Sequence, residues 1–152
     1  MILETKAYGP VEIDEKQVLE FPQGLLGFEE HRRFALIDAH KKPFFWLQST
    51  EDSKIAFILI KPTIFRDDYD PGVTKEDFDD IGAEGSEECL VFAIVTVPES
   101  GPMTANLQGP LFVSKKTRKG KQCISPRDEY RTRHDILEEM AARREQDADP
   151  LP

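Results

Sequence analysis

Proline and glycine cut this chain into short apolar runs, most of them too short for a helix. The cuts fall at Gly9-Pro10, Pro22-Gln23-Gly24, Pro43, Pro62, Pro98, Gly101-Pro102, Gly109-Pro110 and Pro126. Proline cannot donate to a β-ladder and glycine permits positive φ, so such residues end strands and turn the chain. The runs between them predict strands at Ile2–Tyr8, Val11–Ile13, Val18–Phe21, Phe34–Asp38, Phe44–Ser49, Ile55–Ile60, Leu90–Val97, Ala105–Gln108, Leu111–Ser114 and Lys121–Ser125. Short strands with frequent turns imply a closed or nearly closed antiparallel architecture. The chain is therefore predicted to be mainly β, a single compact antiparallel β-barrel-like domain.

Two helices interrupt this pattern. Thr74-Lys75-Glu76-Asp77 opens with a residue that can cap, predicting a brief helix over 74–80. Asp135 can cap a longer one running to about Arg144, with Ile136, Leu137, Met140 and Ala141 on one face. Residues 146–152 read as a frayed tail. The expected organisation is a β domain over 1–134, then the helix and tail over 135–152.

At 152 residues one domain is expected, and 39% apolar with 32% charged residues is the composition of a folded protein, not a disordered one. The longest apolar run, Cys89–Val97, is about half of what a membrane helix needs. With no secretory pattern after Met1 and two cysteines in no metal-binding spacing, the expectation is a cytoplasmic protein with buried free thiols at Cys89 and Cys123.

The net charge of −9 hides a dipole. Arg66–Glu88 holds ten acids against two bases, and Lys115–Arg133 eight bases against two acids. The acidic stretch includes Asp67, Asp68 and Asp70, whose spacing does not match a calcium loop; a solvated acidic loop is the plainer reading. Beside them lie Phe65 and Tyr69. These are either core residues or apolar anchors of a protein-binding surface, in which the acids would add steering. Lys115–Lys121 forms a basic hairpin on a turn that Gly120 permits. It could contact phosphates, but it lacks stacking aromatics and belongs to an acidic chain.

Tyr130-Arg131-Thr132-Arg133-His134-Asp135 brings an aromatic and several donors to the last helix. It is either a rim site for a carboxylate or carbonyl-rich peptide, with Tyr130 and Arg133 as candidates, or a helix entry with Tyr130 packed inward. Asn106 and Gln108, at alternate positions of a predicted strand, share one face. They either satisfy backbone groups where pairing stops or present amides to a partner. His31, His40 and His134 are scattered, and no nucleophile or phosphate-loop motif is present. Neither enzyme chemistry, a cofactor nor a metal is expected.

Seven segments, in order, resemble the flagellar assembly factor FliW family: Phe21-Pro22-Gln23-Gly24-Leu25-Leu26-Gly27-Phe28, Phe45-Trp46-Leu47-Gln48-Ser49, Phe65-Arg66-Asp67-Asp68-Tyr69, Val91-Phe92-Ala93-Ile94-Val95-Thr96, Thr104-Ala105-Asn106-Leu107-Gln108-Gly109-Pro110, Gly120-Lys121-Gln122 and Tyr130-Arg131-Thr132-Arg133-His134. Asp79–Glu88 and the stretch after His134 fit less closely. The resemblance implies a β-barrel-like domain, monomeric on its own, that works by binding and without a cofactor. The implied partners are newly made flagellin and the RNA-binding translational regulator CsrA, with no direct nucleic acid and no membrane. Capture of CsrA would relieve its repression of flagellin translation, and flagellin would compete for the same protein. The alternative is a direct RNA-binding β-barrel using the 115–121 hairpin.

Overall fold

The computed structural model describes residues 1–147, and the predicted tail beyond Asp147 lies outside them. In chain order the elements are β1 (Ile2–Thr5), β2 (Gly9–Glu12), β3 (Val18–Glu20), β4 (Arg33–Asp38), β5 (Phe45–Ser49), β6 (Ala56–Ile60), α1 (Lys75–Asp80), β7 (Cys89–Thr96), β8 (Thr104–Ala105), β9 (Leu111–Ser114), β10 (Gly120–Gln122), β11 (His134–Asp135) and α2 (Ile136–Asp147). The short helix falls where the sequence places it. Thr74 accepts the Asp77 backbone N–H, and Asp77 reaches back to the Thr74 N–H. The Asp135 carboxylate accepts the Glu138 N–H at the start of α2. That helix extends through Gln146 and Asp147, past the predicted end near Arg144.

All ladder pairings are antiparallel, and β1 pairs with β2 as a separate hairpin. The main sheet runs β10-β9-β7-β6-β5-β4-β3, with β8 and β11 as a side branch from β7. The sheet is not closed. Its end strands meet at a single point, where the Glu20 N–H donates to the Arg118 carbonyl at 3.0 Å beside the isolated Glu20–Lys119 bridge. Gly120 is needed here for space and not for the turn. A Cβ on it would lie 2.5 Å from the buried ring of Phe21, whereas the left-handed residue of the hairpin is Arg118.

Both faces of the central strands are covered. On one side Phe21, Phe34, Leu47, Leu59, Phe92 and Leu111 form the main core. On the other, Ile60, Ala93, Val95 and Ala105 pack with Phe65, Leu107, Tyr130 and Ile136. Alternate residues along β6 and β7 thus feed two cores, as a pleated strand buried on both sides requires. The second core draws Met140 of α2 against the sheet, so the helix is seated on the same hydrophobic cluster as the strands. Full burial of each large apolar side chain contributes about 1.5–3 kcal/mol.

One predicted strand fails in an instructive way. Ala105–Gln108 stops pairing at Ala105, because the Asn106 side-chain oxygen accepts the backbone N–H groups of Gln108 and Gly109 at 3.0 and 2.9 Å. A short amide side chain competes here with the ladder and wins.

Candidate functional site

The surface to which the sequence points is built on the chain leaving β6. Pro62–Ile64 forms one 3-10 turn that delivers Phe65 into the second core. Phe65 is 1% exposed, so it is not a partner anchor; it is the hydrophobic peg that fixes the acidic stretch. Tyr69 is half-buried, donates its hydroxyl to the Leu107 carbonyl at 2.6 Å, and meets Tyr130 edge-on at 4.7 Å. Burial pushes the Tyr69 hydroxyl well above the usual tyrosine range, so it remains a donor. Tyr130 is buried, and its hydroxyl accepts the Asp70 N–H at 3.0 Å. Of the two sequence readings for Tyr130, inward packing is the one observed.

Arg66, the lone base at the head of the acidic run, organises the region. Its guanidinium reaches Glu139 at 2.9 Å, Asp68 at 3.2 Å and Glu129 at 3.6 Å, and lies over the Tyr130 ring at 5.3 Å. Burial opposes its charge, but the Glu139 and Asp68 carboxylates outweigh that and hold its pKa above the ordinary arginine value. Glu139 also bonds His134 Nδ1 at 2.7 Å, while His134 Nε2 accepts the Arg131 N–H at 2.8 Å. That second bond assigns the proton to Nδ1, making a neutral imidazole that donates to Glu139. One helical turn along, Arg143 donates to the Thr63 and Ile64 carbonyls. The i, i+4 spacing of Glu139 and Arg143, read together with the lone Arg66 in an acidic run, was the available sequence signal.

The three acids remain on the outside. Asp67 lies 3.4 Å from Arg143, Asp68 3.2 Å from Arg66 and Asp70 3.4 Å from Arg127, and all three carboxylates are largely exposed. The strand ends at Ala105, and the Asn106 side chain accepts the Gln108 and Gly109 N–H groups, so of its two sequence readings satisfying backbone groups is the one observed. Gln108 and Arg133 are exposed. The structure thus brings Asp67, Asp68, Tyr69, Asp70 and Tyr130 together, and Phe65 lies beneath them.

The basic hairpin is partly neutralised by the acids of α1. Lys121 is mostly buried and bonds Asp77 at 2.7 Å and Asp80 at 2.6 Å. Burial opposes its charge, and the two carboxylates outweigh that and raise its pKa. The Lys121 hydrogen bond in turn lowers that of Asp80. Lys116 approaches Glu88 at 3.9 Å. The charge dipole of the sequence is therefore folded partly onto itself. Cys89 and Cys123 are free and buried; burial raises both thiols, Cys123 to about 12, and so makes them poor nucleophiles. Among the described residues no group of three or more His, Cys, Asp or Glu side chains is arranged to hold a metal ion. None of the described helices is long and apolar enough to cross a membrane.

An open antiparallel sheet with a docked C-terminal helix and an acidic outer bank defines a class of small, mainly β protein. Comparison with known proteins makes this specific. The profile of the FliW protein family matches residues 2–136. The flagellar assembly factor FliW of Treponema denticola is 47% identical over 143 residues, covering 93% of this chain and 97% of that protein. The one from Leptospira biflexa is 47% identical over 141 residues, covering 91% and 92%. A crystal structure of the flagellar assembly factor FliW superposes with a TM-score of 0.81 at 32% identity, covering 90% of this chain and 96% of that one. The chain belongs to the FliW family of flagellar assembly factors.

Proposed function

We propose that this protein is a cytoplasmic, non-enzymatic binding factor that holds flagellin and the translational regulator CsrA in turn, and that holding CsrA relieves repression of flagellin translation. The observation that carries the reading is the exposed bank of Asp67, Asp68 and Asp70 on a chain of this family. A regulator that binds RNA must offer basic surface, and a fixed acidic bank attracts and orients such a surface. The bank's own ion pairs are solvent-exposed and contribute at most about 1 kcal/mol each, so a partner's lysines or arginines can replace Arg143 or Arg127 at small cost. The scaffold of buried Phe65 and Tyr130 and half-buried Tyr69 keeps the acids in place while this happens.

Partner exchange then follows from mass action. A ligand present at about 100 times its dissociation constant shifts the balance by roughly 2.7 kcal/mol, enough to reverse which of two partners of similar affinity is held. Stopped-flow association with CsrA tests the role of the bank. Reversal of Asp67, Asp68 and Asp70 to lysine is expected to slow association about tenfold or more at low salt, with the difference shrinking as salt rises. An unchanged rate at low salt would refute the role given to these acids. Tight, salt-sensitive binding of a mixed-sequence RNA by the wild-type protein would instead support the hairpin alternative.

A further inference from the structure

Where the sheet fails to close, the gap between its two ends is a mouth onto the main core. Its lining comes from both ends of the strand order: Leu19 of β3 and Leu36 of β4 on one lip, Leu90 of β7 and Val113 of β9 on the other. Leu19 and Val113 belong to the main core, and half-buried Leu36 and Leu90 pack against it. The mouth therefore opens on aliphatic side chains, and it holds about 540 Å³. Small-molecule clefts occupy roughly 300–1,000 Å³ and favour the mouths of barrel-like sheets. Two bonds tie the lips together beside it. The Glu20 N–H donates to the Arg118 carbonyl at 3.0 Å, and the Arg118 guanidinium donates to the Glu15 carbonyl at 3.4 Å.

Charge narrows what could occupy it. Lys16, Lys115, Lys116 and Arg118 stand exposed around the mouth, and the neighbouring acids Glu15, Glu20 and Glu88 are not in its lining. In a chain of net charge −9 this is the reverse of the Asp67–Asp70 bank. Among the described residues only Lys116 of the four has a carboxylate partner, Glu88 at 3.9 Å. Lys121, at the base of the same hairpin, is by contrast fully engaged with Asp77 and Asp80. Four cations crowded together with so little compensation favour an anion among them. Ser114, fully buried, also belongs to the lining; its hydroxyl accepts the Thr117 N–H at 3.3 Å and retains a proton to donate. The lining contains no aromatic ring, so nucleic-acid bases have nothing to stack on. The whole-chain charge opposes a polyanion or an anionic membrane. A single small anion with an aliphatic body meets neither obstacle.

The structure assigns this mouth to a small free amphiphile with an anionic headgroup, carboxylate or phosphate, whose aliphatic body lies against Leu19, Leu36, Leu90 and Val113 and whose head sits among Lys16, Lys115, Lys116 and Arg118. Burial of the aliphatic body supplies affinity in proportion to its length. The cations select the sign of the head. The site uses none of the residues of the acidic bank, so the inference stands apart from the partners proposed for that surface.

The full-length, isotopically labelled chain would be titrated separately with decanoate and decyl phosphate, below their micelle-forming concentrations, and followed by amide chemical shifts and calorimetry. The two probes tell a carboxylate head from a phosphate head. The expected result is saturable binding of at least one, with the largest shifts at Leu19, Leu36, Leu90, Val113 and the 114–119 hairpin. Affinity should fall about threefold for each methylene removed from the bound probe. Decyltrimethylammonium, of the same length and opposite charge, should bind about tenfold more weakly or worse. Lys16→Glu combined with Lys115→Glu, both at exposed positions, should weaken the anionic probe about tenfold and leave decyltrimethylammonium no weaker. No saturable binding of either anion, an affinity independent of chain length, equal affinity for the cation, an undiminished double variant, or shifts centred elsewhere would overturn the inference. So would shifts at these same residues produced by a uridine oligomer or by phosphatidylglycerol vesicles, since either would name a different occupant. CsrA association measured on the same preparation separates failure of the mouth from failure of the acidic bank.

Discussion

Replacement of Arg66 by alanine tests whether the acidic bank is organised from beneath. The bond to Glu139 is charge-assisted, at 2.9 Å, between side chains only 24% and 21% exposed; such bonds contribute about 1.5–3 kcal/mol. The contacts to Asp68 and Glu129 involve largely exposed carboxylates and add about 0–1 kcal/mol. The guanidinium over Tyr130 adds about 0.5–1 kcal/mol. Together these predict a loss of roughly 2–5 kcal/mol, or about 4–20 °C in melting temperature for a chain of this size. Urea unfolding followed by Trp46 fluorescence measures it. Most of the deficit should persist at high salt, because the dominant pair is shielded from solvent. Arg66→Lys should recover less than half, since one ammonium cannot meet Glu139 and Asp68 while covering the Tyr130 ring. A loss below about 1 kcal/mol, or full recovery by lysine, would refute Arg66 as the organiser.

Three further outcomes follow from particular contacts. Asn106→Ala leaves the Gly109 N–H without its acceptor and the Gln108 N–H with the Arg131 carbonyl alone, and should cost about 1–3 kcal/mol by the same unfolding assay, with Asn106→Asp costing less. Gly120→Ala forces a Cβ against Phe21 and should cost about 1–3 kcal/mol, an effect relieved when Phe21→Leu is combined with it in a double-mutant cycle. Lys121→Met should destabilise at neutral pH, with a deficit that shrinks on acidification. Asp80 has a lowered folded pKa, so its contribution is full above the ordinary carboxylate range near 4 and is lost as pH falls below it. Lys121 has a raised one, so its share is full below the ordinary lysine value near 10.4 and is lost only above it. A pH-independent deficit between 7 and about 3 would contradict the pairing.

Most strands were legible because proline and glycine mark their ends regardless of tertiary context. The capped helix at Thr74 was legible for a similar reason, since its hydrogen bonds are local. Errors came where a local competitor or a distant partner decided the outcome. Asn106 ended a strand that period-two patterning alone would extend, because its side chain captured two backbone N–H groups. Gly120 read as a turn residue, but its role depends on Phe21, about a hundred positions away. Phe65 and Tyr130 could have been core or anchor, and only the docking of α2 and the sheet settled them as core. The acids of the candidate surface were visible as a charge run, whereas Arg66, Arg143 and His134, which hold it, became apparent only once α2 was placed against the 61–70 segment. The mouth of the sheet joins residues from both of its ends, and nothing in their spacing announces it.

Whether one protein holds two partners in turn is decided by calorimetric titration with purified CsrA, first with the protein alone and then with flagellin already bound. Partner exchange requires saturable binding in the first titration and its loss in the second. Binding of CsrA that persists undiminished beside flagellin would contradict partner exchange, and absence of binding in the first titration would exclude CsrA as a partner.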